Sequence, residues 1–223
     1  MCIRDRLKTL GTRSFFIILN NTKAPFNDVR VRKAANLAVN KKLIITKLIN
    51  GLAVPQNGIL SPQSFGFNKK LPELSYDPDQ ARKLMSQAGY QNGLDVVLDS
   101  EAPFKDIATA IASQLTKVGI RAKVQIWERN TIRSHWDPKK DKNRDMYYSS
   151  WGSGALDPAG IFVPNLMTNA RGNRSGYSNS KVDQHLKKAD AEPNQDQRAE
   201  HFRMAQEIVA QDLPLLFLWL PPV

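Results

Sequence analysis

The 223-residue chain carries little with which to do covalent or metal chemistry. Its one cysteine, Cys2, forms no intrachain disulfide and leaves the redox compartment open. Three histidines, His135, His185 and His201, are scattered, with no cysteine or second histidine at metal-ligand spacing, so no metal is expected. His201 stands among Glu200, Arg203 and Glu207, which reads as a solvated helix face. No Gly-x-Ser-x-Gly elbow and no P-loop occurs; "WGSG" has the glycines but lacks the Lys and Ser/Thr of a phosphate loop. Without a nucleophile–base pair or a cofactor motif, neither an enzyme nor a cofactor is expected. The longest apolar run near the end, Leu213 to Leu220, is too short to span a membrane and holds Pro214. The start, "MCIRDR", lacks a signal peptide's apolar core and cleavage site, and residues 1–12 read as a non-native or disordered start.

A 41% hydrophobic content is enough for a core, and the charge balance is strongly basic, with a net charge of +11. Such an excess raises one alternative class, a basic nucleic-acid-binding domain. The basic residues, however, are dispersed: Arg30, Arg32 and Lys33, Lys41 and Lys42, Lys69 and Lys70, and the Lys139 to Arg144 loop. They neither interleave with aromatics nor gather on one recognition helix, so a solvated surface is the better reading and no nucleic acid is expected.

Strand and helix periods alternate along the chain. "SFFIILN" (Ser14 to Asn20) reads as a buried strand. A helix follows, with Asn27 or Asp28 as N-cap and Val31, Ala34, Ala35 and Ala38 on one face. Asn40 caps a second helix, Lys41 to Asn50, burying Ile44, Ile45, Leu48 and Ile49 before Gly51. Leu52 to Ser75 reads as a long ordered loop whose Ile59, Phe65 and Phe67 need burial. "YDPDQARKLMSQAGY" is a helix capped by Asp77, with Pro78 in its first turn. Leu94 to Asp99 and Ile120 to Trp127 read as parallel strands joined by a Phe104 to Val118 helix, an α/β unit. Asp137 to Asp145 reads as a hydrophilic surface loop and "MYYSSW" as a further strand. Helices at Lys181 to Ala189 and Asp196 to Gln211 precede a last strand, "LPLLFLWL".

The stretch "SSWGSGALDP" then stands just past a strand's carboxyl end, where open α/β sheets tend to bind ligands. Small residues beside Trp151 leave room for a ligand, although a strand-end Trp is equally a plug for the core.

"PFNDVRVRKAANLAVNK" with Gly51, "YDPDQARKLMSQAGY", "IASQLTKVGIRAKVQIW", "W…DP", "GYSN…VDQHLKKA" and "RAEHFRMAQEIVAQDLPLLFL" follow one another in that order. Together they resemble the peptide/nickel/oligopeptide class (family 5) of extracytoplasmic solute-binding proteins of ABC importers. The resemblance implies a periplasmic-binding-protein-like fold (type II, cluster C-like), a mixed sheet flanked by helices in an incomplete two-lobe protein. Residues 25–211 would form the second lobe, with residues 13–24 a hinge-proximal strand of the first and residues 212–223 a return strand toward it. The first and last strands would then lack sheet partners and leave apolar faces partly bare. The resemblance also implies capture of a peptide-like or other small polar solute, delivery to ABC permease subunits, a monomer when full length, and a periplasmic location with possible lipid anchoring. It places the solute against Trp151, Ser153, Gly154 and Asp157, with Phe104 and Arg129 nearby. Two charged anchors of peptide-binding members are replaced: Gly154 stands at the acidic position three after the Trp, and Ala102 where an Arg precedes a Pro-aromatic pair. An unpaired buried terminus costs on the order of 3–5 kcal/mol, so a short free peptide is not the expected solute.

Overall fold

A computed structural model describes residues 10–136 and 143–222. Residues 1–9, and most of the Asp137 to Asp145 loop, lie outside the described residues. Leu10 bridges Pro222, and the Gly11 amide donates to the Pro221 carbonyl at 2.9 Å, so the two ends run side by side.

Six strands form one mixed sheet: β1 (Arg13–Leu19), β2 (Val54–Pro55), β3 (Leu94–Glu101), β4 (Ile120–Trp127), β5 (Met146–Gly152) and β6 (Leu215–Leu220). Their order is β2-β6-β1-β5-β3-β4. The expected parallel pair is present, from Leu94 opposite Ile120 to Glu101 opposite Trp127. It is joined by α4 (Lys105–Thr116), after a single 3-10 turn at Ala102–Phe104. Gly119 makes the reversal into β4 at φ 91, a left-handed conformation that favours glycine. Strand β5 is parallel to β3, so β3, β4 and β5 present their carboxyl ends at one edge.

Helices cover both faces. Alternation along β1 sends Ile17 and Leu19 into a core shared with α1 (Val29–Ala38), α3 (Pro78–Gln87) and α4. Phe16 and Ile18 go into a second core with α6 (Ala159–Leu166), α7 (Ser180–Ala191) and α8 (Gln195–Asp212). The caps are those the sequence offers: Asp28 accepts from the Arg30 amide, Asn40 from Leu43 and Asp77 from Gln80. Two short helices, α5 (Arg129–His135) and α6, have no counterpart in the sequence reading.

Three expectations are corrected. Strands β1 and β6 have no bare faces: β1 is hydrogen-bonded to β5 on one side and β6 on the other, and all six residues of β6 are buried. Their partners come from this chain itself, and helices close both faces over them. Leu48, expected inward, ends α2 (Lys41–Leu48) and is exposed. His201 is not on a solvated face; its Nδ1 lies 3.4 Å from Nδ1 of His185 across the contact between α7 and α8.

Candidate functional site

The carboxyl edge of β3, β4 and β5 gathers the residues singled out from sequence, but not into one cluster. Trp151, near the end of β5, is half-buried against the second core. Its indole N–H donates to the Gly160 carbonyl at 2.9 Å, which fixes the ring at the start of α6. The side chain is thus packed and also lines an open cavity of about 530 Å³. Ser153 sits directly over Gly160, where a β-carbon would come within 2.5 Å of its hydroxyl, while Gly154 has open space beside it.

Asp157 is held elsewhere. One carboxylate oxygen accepts from the Ala159 amide at 2.8 Å, holding the turn that leads into α6, and the other meets Arg198 at 2.8 Å. Phe104 follows β3 but packs in the first core, with ring centroids 5.1 Å from Tyr148 and 5.8 Å from Phe15. Adjacent strand residues point to opposite faces, so Phe104 beside Tyr148 and Trp151 beside the Tyr147 core lie on opposite sides of the sheet. Arg129 begins α5, mostly exposed, its Nε 4.0 Å from the Glu101 carboxylate.

Beside Trp151 the structure places residues that sequence reading passed over. Arg133, one turn along α5 from Arg129, lines the cavity together with Arg171 and Arg174. The same three arginines line an adjoining cavity of about 540 Å³ walled by Trp136 and Tyr177. Gly172 lets the loop bearing Arg171 and Arg174 close on the site: a β-carbon there would lie 2.7 Å from the Pro164 carbonyl and 3.3 Å from the Trp151 ring. Asn173, buried, ties the loop down by donating to the Met167 and Tyr177 carbonyls at 3.0 and 2.7 Å.

Helix α5 is anchored from below. Asp99, fully buried, accepts from the indole N–H of Trp127 at 2.7 Å and of Trp136 at 2.8 Å, with Arg144 at 3.4 Å. Burial pushes its carboxyl above the usual range, while the two indoles and Arg144 pull the other way. Among the described residues, no group of three or more His, Cys, Asp or Glu is placed to hold a metal. The arrangement offers a flat aromatic wall, cationic forks and open volume, which suits binding.

A family model described as "Bacterial extracellular solute-binding proteins, family 5 Middle" matches residues 4–173. Heme-binding protein A of Haemophilus influenzae is 29% identical over 228 residues, covering 96% of this chain and 40% of that protein. Glutathione-binding protein GsiB of Escherichia coli is 28% identical over 219 residues, covering 93% and 41%. Among solved structures, the ABC transporter-associated periplasmic binding protein DppA from Helicobacter pylori, in complex with peptide STSA, matches with a TM-score of 0.87 at 25% identity. That match covers 97% of this chain and 43% of the other. HbpA2 from Haemophilus parasuis shares the fold, with a TM-score of 0.91 at 24% identity over 97% and 44%. The chain therefore spans about two fifths of the length of the curated relatives it matches. Matched over most of its length by the family model, and carrying the mixed sheet of the periplasmic binding proteins, this chain belongs to the bacterial extracellular solute-binding proteins of family 5.

Proposed function

We propose that this chain forms one wall of the solute cleft in a binding protein that captures a peptide-like or other small polar solute and hands it to ABC permease subunits. The observation that carries this reading is the open cavity at the carboxyl edge of the parallel strands, walled by Trp151, in a chain of family 5. Residues 25–211 are the second lobe on this reading, and residues 13–24 and 212–223 run toward the first. Trp151 supplies the flat contact, Ser153 and the open backbone at Gly154 orient polar atoms, and Phe104 supports the edge from the opposite face. Asp157 shapes the turn and positions α6. The reading makes the whole protein a monomeric, non-catalytic binder, exported to the periplasm and either free or lipid-anchored there. Among the described residues, no helix is long and apolar enough to cross a membrane. Family membership does not favour the nucleic-acid alternative.

The test is to express the full-length protein, identify any copurified small molecule by mass spectrometry, and titrate that molecule by calorimetry at low and high salt. A copurified solute whose affinity changes little with salt supports the cleft. Absence of any bound or bindable solute, with salt-sensitive retention on DNA instead, refutes it, because phosphate-backbone binding weakens steeply with salt.

A further inference from the structure

Most arginines on this molecule are engaged locally. Arg30 pairs with Asp28, Arg121 with Asp95, Arg198 with Asp157 and Arg203 with Glu200. Arg133 and Arg171 differ. Among the described residues neither makes a hydrogen bond or an ion pair, yet both line the two adjoining cavities beside Trp151. Arg174 lines both as well, and among the described residues neither lining includes an Asp or Glu. Cations gathered in a concavity repel one another, and low-dielectric walls focus their field into the space between. The placement is also built. Asn173 and Gly172 fix the loop bearing Arg171 against α6 and the Trp151 ring, and the Trp136 indole on Asp99 fixes the end of the helix bearing Arg133. A planar guanidinium fork matches the two oxygens of a carboxylate or phosphate.

We infer that the solute carries an oxyanion, a carboxylate or a phosphate, held by Arg133 and Arg171 where the two cavities meet, with its adjoining part against the Trp151 ring. This rests on the solute-cleft reading and narrows it to anionic solutes. It also relocates the charged anchor: Ala102 and Gly154 leave the sheet edge without one, and the α5 helix and the Arg171 loop provide it instead.

The experiment uses the full-length protein and three probes: glutarate, inorganic phosphate, and glutaramide, which keeps glutarate's carbon skeleton but has no charge. Isothermal titration is run on the parent and on Arg133→Gln and Arg171→Gln, exposed positions where folding is checked by thermal melting. Saturable binding of glutarate or phosphate, absent for glutaramide and weakened about tenfold or more by either substitution, is the expected result. Tighter glutarate assigns a carboxylate and tighter phosphate assigns a phosphate ester. Equal binding of glutaramide, unchanged affinity in both variants, or binding of neither anion overturns the proposal. Those results leave the cleft reading intact if a neutral or cationic solute copurifies, whereas a protein that holds no solute at all removes both.

Discussion

Asp99 and Trp151 lie on the same half of the molecule and do opposite work. Asp99 is a support: it is the acceptor for the buried Trp136 indole and for Trp127, and through Trp136 it sets the end of α5. Replacing it with alanine removes the acceptor of a buried N–H. Asp99→Ala is therefore expected to lose on the order of 3 kcal/mol of stability, read as a lower urea midpoint. Asp99→Asn, which keeps one carbonyl acceptor, should lose less. Trp151 is a contact. Its truncation in the full-length protein should weaken binding of the copurified solute by about 1–3 kcal/mol, measured by calorimetry, with the melting temperature showing whether the fold is intact. Unchanged affinity would make the ring a core plug only. Asp157→Asn should show the reverse pattern, since its carboxylate is committed to Arg198 and the Ala159 amide. Stability should fall while affinity holds.

At the scale of elements, the contact between α7 and α8 carries a pH response. His185 and His201 face each other there, and burial, then the neighbouring His201 and Lys188, hold the His185 pKa below its ordinary value. The charged form is disfavoured in the folded chain, so the unfolded chain binds more protons as pH falls through about 6.5. Stability should be full above that value and decline below it. Urea midpoints at successive pH values check this, and His201→Gln should flatten the slope in that window. A slope unchanged by the substitution would assign the acid sensitivity to other groups. The elements also show what a sequence pattern can and cannot carry. Helices α1 and α3 were legible because a capping side chain precedes a clean apolar stripe. Helix α5 was not, because it buries only Ile132 and so has no stripe to read. Helix α6 contains Gly160 and Pro164, which argue against a helix, and it stands because Ile161, Phe162 and Leu166 are buried in the second core. The strand-end position of Trp151 could be read from periodicity alone. The cavity beside it could not, because Arg171 and Arg174 in "ARGNRSG" look like any basic surface loop until their placement beside Arg133 and Trp151 is seen in three dimensions.

For the whole molecule, the sheet is the shared wall of both hydrophobic cores, so neither core is complete without it. Opening one face strips the other of its backing, and unfolding of the described region should be cooperative. Native-state hydrogen exchange should place the slowest amides in β1 and β6, which are paired on both sides, and faster ones in β2 and β4 at the sheet edges. Independent melting of the two halves would contradict this. The same sheet order bears on how the protein is made. Strand β6 enters between β1 and β2, although β1 opens the described chain and β6 all but closes it. On a ribosome, "SFFIIL" is made well before either of its sheet neighbours, β5 and β6. During that interval a run of aromatic and branched side chains has unpaired edges, the condition in which nascent strands recruit holding chaperones or mispair with other chains. The pairing of β1 with β6 therefore joins opposite ends of the described region, a non-local contact of the kind that slows folding.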